Sequence, residues 1–221
     1  AKKTNGRLHV FHLSTKEEAK LFDNQNDLKN KKITSEVCIH HLSFNDADYK
    51  TKGNFIKWNP SIKTIEDQNA LWDALRSDKI DVIATDHAPH TFNEKNQLYV
   101  DCPSGGPLVQ HSLYIMYEHF LEKRISLEKI VEKMCHNPAI LFNIKKRGFI
   151  REGFFADLVI LRKNQSWVIN KNNILYKCGW SPFEGKKINS MITHTFVSGN
   201  LAYENGVFNQ NIMGKKIEFN S

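Results

Sequence analysis

The sequence has no apolar run approaching the ~20 residues that a membrane-spanning helix needs. Its first residues also lack the charged, apolar and small-residue layout of a secretory signal peptide. Cysteine is sparse: Cys38, Cys102, Cys135 and Cys178 are widely separated and form no C-x-x-C pair. That spacing argues against a zinc ribbon or a disulfide framework and predicts reduced thiols in a cytoplasmic protein. A basic stripe interleaved with aromatics is missing too. The formal charge is +7, but the lysines are spread among acids and asparagines, with only short pairs such as Lys31-Lys32 and Lys186-Lys187. A lysine-biased solvated surface accounts for this charge, so neither a nucleic-acid nor a membrane partner is expected. No internal repeat stands out. Ala1 occupies the place of an initiating Met, so the chain reads as beginning inside a longer polypeptide.

What remains is ordinary globular composition, 40% hydrophobic and 25% charged over 221 residues, enough for one large domain or one and a half. Two textures divide it near residue 147. Residues 1–147 alternate short apolar runs with helical patterns, the βαβα signature of a parallel sheet. Leu8 to Leu13 and Glu36 to Leu42 read as strands, with a helix from Ser14/Thr15 through Phe22 between them. Thr64 caps a further helix, with Asp67 completing an approximate capping box and Leu71, Trp72 and Leu75 on its apolar face. Pro107, Ser126 and Asn137-Pro138 open three more helices, the last running through Phe142. Residues 148–221 turn β-rich: Phe154 to Leu161, Trp167 to Ile169 and Met191 to Val197 read as strands. Glu204-Asn205-Gly206-Val207 reads as a hairpin turn.

The richest stretch is Ala84-Thr85-Asp86-His87-Ala88-Pro89-His90, directly after the apolar run Asp81-Val82-Ile83. A buried carboxylate is costly unless it is paired or binds a metal, and His is the commonest metal ligand. Spacing alone leaves two readings, an Asp capping a loop with incidental histidines or a reactive site. In β/α barrels reactive groups sit at the C-terminal ends of strands, and three strand ends carry polar groups here: His12, the pair His40-His41, and Asp86. His9 and His12 are spaced to face opposite ways, and His12 lies nearer its strand end. His40 and His41, adjacent on a strand, are also expected to face opposite ways, as pocket-lining or structural residues.

These motifs meet a family. ATDHAPH, with HVFHLST at 9–15, IHHL at 39–42, IKWNPSIK at 56–63 and PSGGPLVQ at 103–110, resembles the dihydroorotases of the amidohydrolase superfamily. GFIREGFFADLVIL at 148–161, SPFEG at 181–185 and THTFVSGNLAY at 193–203 resemble the β-sandwich tail of those enzymes. The resemblance covers essentially the whole chain. It implies an α/β fold, the C-terminal part of a (β/α)8 barrel followed by a small β-sandwich domain. It also implies one or two zinc ions, Zn2+, in the full-length parent. His12 matches the ligand on the sixth strand and Asp86 the ligand on the eighth, which is also the general base and acid. Asn59 and His90 match residues that hold the substrate, His90 gripping its carboxylate. The Ser104-Gly105 backbone matches a loop that hydrogen-bonds the substrate ring, and His87 is expected to support rather than ligate.

The implied reaction is the reversible closure of N-carbamoyl-L-aspartate to L-dihydroorotate in pyrimidine biosynthesis. Rival readings are a dihydropyrimidinase or hydantoinase, an allantoinase-like amidase, or a non-catalytic scaffold that pairs with aspartate transcarbamoylase. The family's first-strand His-x-His, its bridging lysine or aspartate and its fifth-strand histidine have no counterpart before His12. The chain therefore resembles the C-terminal half of the enzyme, starting near the sixth strand. A half-barrel exposes open sheet edges, so pairing with another half is expected, and a homo-oligomer stays open.

Overall fold

The computed structural model describes residues 1–25 and 27–220. Its first layer is a three-stranded parallel sheet, β1 (Leu8–Val10), β2 (Ile33–Cys38) and β3 (Val82–Ala84), in that spatial order. Leu8 pairs with Ile33 and Val10 with Ser35 on one side; Glu36 pairs with Val82 and Cys38 with Ala84 on the other. Both expected early strands end sooner than their apolar runs. The first stops at Val10 rather than Leu13. The second starts at Ile33 and stops at Cys38, where the chain turns into a helical turn α2 (Ile39–Ser43), after α1 (Lys16–Ala19). An apolar run of this length fits a buried helix turn as well as a strand, which is why its period did not separate the two.

Helix starts follow local chemistry closely. Thr15 caps α1 in a reciprocal box with Glu18, and Thr64 caps α4 (Ile65–Arg76) in the same way with Asp67; α3 (Tyr49–Lys52) lies between. Each box satisfies two N–H groups that a helix start would leave unpaired. Leu71, Trp72 and Leu75 of α4 are fully buried, and the Trp72 indole donates to the Leu42 carbonyl at 3.0 Å. α5 (Phe92–Lys95) follows β3. The helix expected from Pro107 begins five residues later, as α6 (Ser112–Leu121), after a short 3-10 turn at Val109–His111. Leu108 and Met116 are buried, and Leu113 is partly so. Ser126 caps α7 (Leu127–Val131), which runs through a π turn at Glu132–His136 into α8 (Asn137–Leu141).

The second layer is a four-stranded antiparallel sheet, β4 (Leu158–Val168), β5 (Lys187–Val197), β6 (Asn200–Glu204) and β7 (Val207–Phe208), in sequence order. The two strands expected within 154–169 are one strand with register shifts between Ile160 and Leu161 and between Lys163 and Trp167. The hairpin turn forms at Asn205 (φ 44°) and Gly206 (φ 96°), the positive pair that a type I′ turn requires. Among the described residues this tail is a single sheet. It is tied to the first layer through α6: the Tyr114 hydroxyl accepts from the Ile192 N–H at 3.1 Å, and the Glu118 carboxylate accepts from the Asn189 backbone and side-chain N–H groups. No helix of the described residues is long and apolar enough to cross a membrane.

Candidate metal and substrate site

Parallel strands bring three chain segments to one edge of the first sheet. His12 follows β1 and Asp86 follows β3, so their backbones stand two strand spacings apart, about 9.5 Å. Both residues adopt left-handed backbone, φ 38° at His12 and φ 48° at Asp86. A residue with a Cβ pays to hold that conformation, and such strain concentrates where a side chain must be aimed. Both side chains are partly exposed and enter no hydrogen bond or ion pair among the described residues. His9 differs. Its ring is tied down by Thr34 at 2.9 Å and Glu36 at 3.1 Å, a structural tie from β1 to β2.

Between His12 and Asp86 lies the end of β2. The expectation that His40 and His41 face opposite ways is corrected here. They lie on the helical turn α2, and their ring centroids are 4.2 Å apart in one pocket. Burial pushes the His40 imidazole well below the usual histidine range, and nearby His41 and His12 add to this. Burial likewise brings His41 down to about 4. The Cys38 thiol is raised by burial and then by the charges of Glu36 and Asp86.

The expected substrate-holding residues converge on two loops. The His90 ring donates from Nε2 to the Ser104 carbonyl at 2.9 Å, and the Trp180 indole donates to the His90 carbonyl at 2.8 Å. The Gly105 N–H is already committed to the Lys57 carbonyl at 2.9 Å, two residues before Asn59. Asn59 itself is exposed. His87 accepts at Nδ1 from the Leu108 and Val109 N–H groups, at 3.0 and 3.3 Å, so it fastens the loop that follows. At Gly106 a Cβ would lie 2.8 Å from Trp58 and 3.1 Å from Trp180, two indoles buried to 2% exposure that have no room to retreat. Gly106→Ala should therefore destabilise the chain by about 1–3 kcal/mol, read as a lower urea midpoint; an unchanged midpoint would contradict the packing.

Two further residues, Lys95 and Cys38, belong with these loops and strand ends. Lys95 is fully buried and donates to the Pro103 carbonyl at 2.9 Å and the Lys57 carbonyl at 3.3 Å, joining the 57–59 and 103–105 segments. Its only sequence signal is its position just after ATDHAPH. Cys38 was counted among the scattered thiols, yet with His40 and His41 it forms a group whose ligand atoms all lie within 4.8 Å of one another. A cavity of about 640 Å³ opens beside Arg7 and the 145–151 segment at the opposite end of β1, away from these residues.

Known proteins resemble this chain over most of its length. The amidohydrolase family profile matches residues 9–202. A dihydroorotase of Endomicrobium trichonymphae is 35% identical over 92% of this chain and 48% of its own length. A dihydroorotase of Carboxydothermus hydrogenoformans is 36% identical over 92% of this chain and 47% of its own. Among solved structures, the L-hydantoinase (dihydropyrimidinase) of Arthrobacter aurescens superposes with a TM-score of 0.84 at 28% identity, over 94% of this chain and 47% of the hydantoinase. The chain thus spans about half the length of the curated relatives it matches.

Proposed function

The chain belongs to the amidohydrolase family, and from that premise we propose that it is the C-terminal half of a zinc-dependent dihydroorotase barrel with its β-rich tail. The remaining strands, a second tail layer and the remaining metal ligands then come from polypeptide beyond these 221 residues. The observation that carries the reading is the pair His12 and Asp86. Both are held in left-handed backbone at the C-terminal ends of parallel strands, with side chains unspent on other partners. An imidazole and a carboxylate are donors that suit zinc, and these two would hold it. Bound there, zinc supplies hydroxide at neutral pH and polarises the amide carbonyl.

The chain's own residues do the rest. The Asp86 carboxylate takes a proton on the hydrolytic side and passes it to the leaving ring nitrogen; in ring closure the transfer runs in reverse as water is lost. His90 gives its Nε2 proton to the Ser104 carbonyl, which leaves Nδ1 facing the substrate. The ring so held would grip the carboxylate of L-dihydroorotate. Asn59 and the Ser104-Gly105 segment orient the ring, and Lys95 holds their two loops together from below. His90 favours dihydroorotate over a neutral hydantoin because a carboxylate needs a donor or cationic partner at this place.

Extending the polypeptide upstream tests the proposal. The extended protein should interconvert dihydroorotate and N-carbamoyl-L-aspartate. The 221-residue chain alone should not, because two ligands cannot close a site that normally holds three or more. In the extended protein, His90→Phe should lower dihydroorotate turnover about 10²-fold, the worth of one charged hydrogen bond, with zinc content unchanged. Turnover by the 221-residue chain alone, or an equal loss on a neutral hydantoin, would overturn the reading.

A further inference from the structure

We propose that Cys38, His40 and His41 form a separate metal site, taking a zinc-type divalent cation through one thiolate and two imidazoles. The site does not depend on the dihydroorotase reading, since it uses neither His12 nor Asp86.

Three side chains with 0%, 0% and 3% exposure bring their ligand atoms within 4.8 Å of one another at the end of β2. A buried polar atom without a partner is costly, so buried imidazoles are ordinarily hydrogen-bonded. Here both ring nitrogens of His40 and Nδ1 of His41 lack any partner among the described residues. The tautomer of His41 is set by its surroundings. Its Nε2 lies 3.1 Å from the Pro60 carbonyl, and a carbonyl only accepts, so the proton sits on Nε2 and the lone pair on Nδ1. A metal-binding histidine is commonly backed in this way, by a carbonyl on its far nitrogen. The His40 ring stacks on the Trp58 indole at 4.3 Å and 8°, which covers one face and leaves the nitrogens at its edge for contact.

Cys38 supplies the third donor. On binding, the S–H proton leaves to solvent and a sulfur–metal bond forms, so a divalent ion with one thiolate carries one net positive charge. A sulfur and two imidazole nitrogens suit zinc or cobalt and not magnesium or calcium, which take oxygen. Burial of all three donors is the mark of a closed, structural site.

Cobalt makes the site visible. The 221-residue chain carrying Cys135→Ser and Cys178→Ser, stripped with chelator, should bind one equivalent of Co2+ with a near-ultraviolet thiolate-to-cobalt charge-transfer band. Cys38→Ser should remove that band and weaken binding at least tenfold, and His41→Gln should weaken binding similarly. Asp86→Asn should leave both intact. No band, a band that survives Cys38→Ser, or binding lost with Asp86→Asn but not with Cys38→Ser would overturn the proposal. Should a variant fail to fold, X-ray absorption on the zinc-loaded unmodified chain decides instead. One sulfur at about 2.3 Å in the shell is expected, and a shell of nitrogen and oxygen alone refutes the site.

Discussion

Asp86→Asn, made in the polypeptide extended to a whole barrel, should lower dihydroorotate turnover by about 10³-fold or more. General acid–base catalysis alone contributes about 10²–10⁴-fold, and the amide can neither accept the proton nor bind zinc as a carboxylate does. The backbone should tolerate the change. Asp86 sits at φ 48°, a conformation that Asn adopts at least as readily as Asp, and among the described residues its carboxylate makes no hydrogen bond whose loss would unsettle the fold. Stability should therefore stay nearly constant while activity and zinc content fall. Steady-state kinetics, zinc analysis and a urea midpoint on the same preparation check all three. Retained turnover with full zinc would remove Asp86 from both of its roles.

That separation of activity from stability shows what was legible in the sequence. Asp86 and His12 could be placed at strand ends because each follows a short apolar run and the parallel connections leave little choice of edge. Thr64 with Asp67, Ser126 and Asn205-Gly206 were legible for a similar reason, since capping and turn chemistry act within a few residues. The histidine pair was not. On a strand, successive side chains alternate faces, whereas on a helical turn they are about 100° apart, so the switch at Cys38–Ile39 moved both rings into one pocket. Nothing local in Cys-Ile-His-His announces that switch. It is imposed by burial of Ile39 and Leu42, both fully enclosed in the core. Cys38 was hidden with the pair, because the same switch brings its thiol to His40 and His41; Lys95 was hidden because its contact with Lys57 spans 38 residues of sequence.

The second large effect is acid lability. His111 and His119 are almost wholly buried, and burial depresses both imidazoles from the ordinary 6.5 to about 4. His111 lies against the Ser181 hydroxyl at 3.1 Å with no partner on Nε2; His119 lies between the Ser43 hydroxyl and the Glu122 carboxylate, both at 3.1 Å. In the unfolded chain these rings take up protons near pH 6.5, while in the fold they stay neutral until about 4. The stability they contribute is therefore complete above 6.5 and is lost as the pH falls towards 4. A shift of this size is worth about 3 kcal/mol per group, with Glu122 restraining the loss at His119. The carboxylates held below their usual range, Glu18, Asp67 and Asp78, act in a lower window because their unfolded values lie near 4. Urea unfolding measured from pH 7.5 to 3.5 should thus show a first decline between 6.5 and 4 and a further one below it. His111→Gln should make the first decline shallower by its own share, leaving the shares of His119, His40 and His41, without moving the second. A profile level down to pH 4 would mean that these imidazoles are protonated in the fold, and that burial at Ser181 and Trp72 does not exclude the charge.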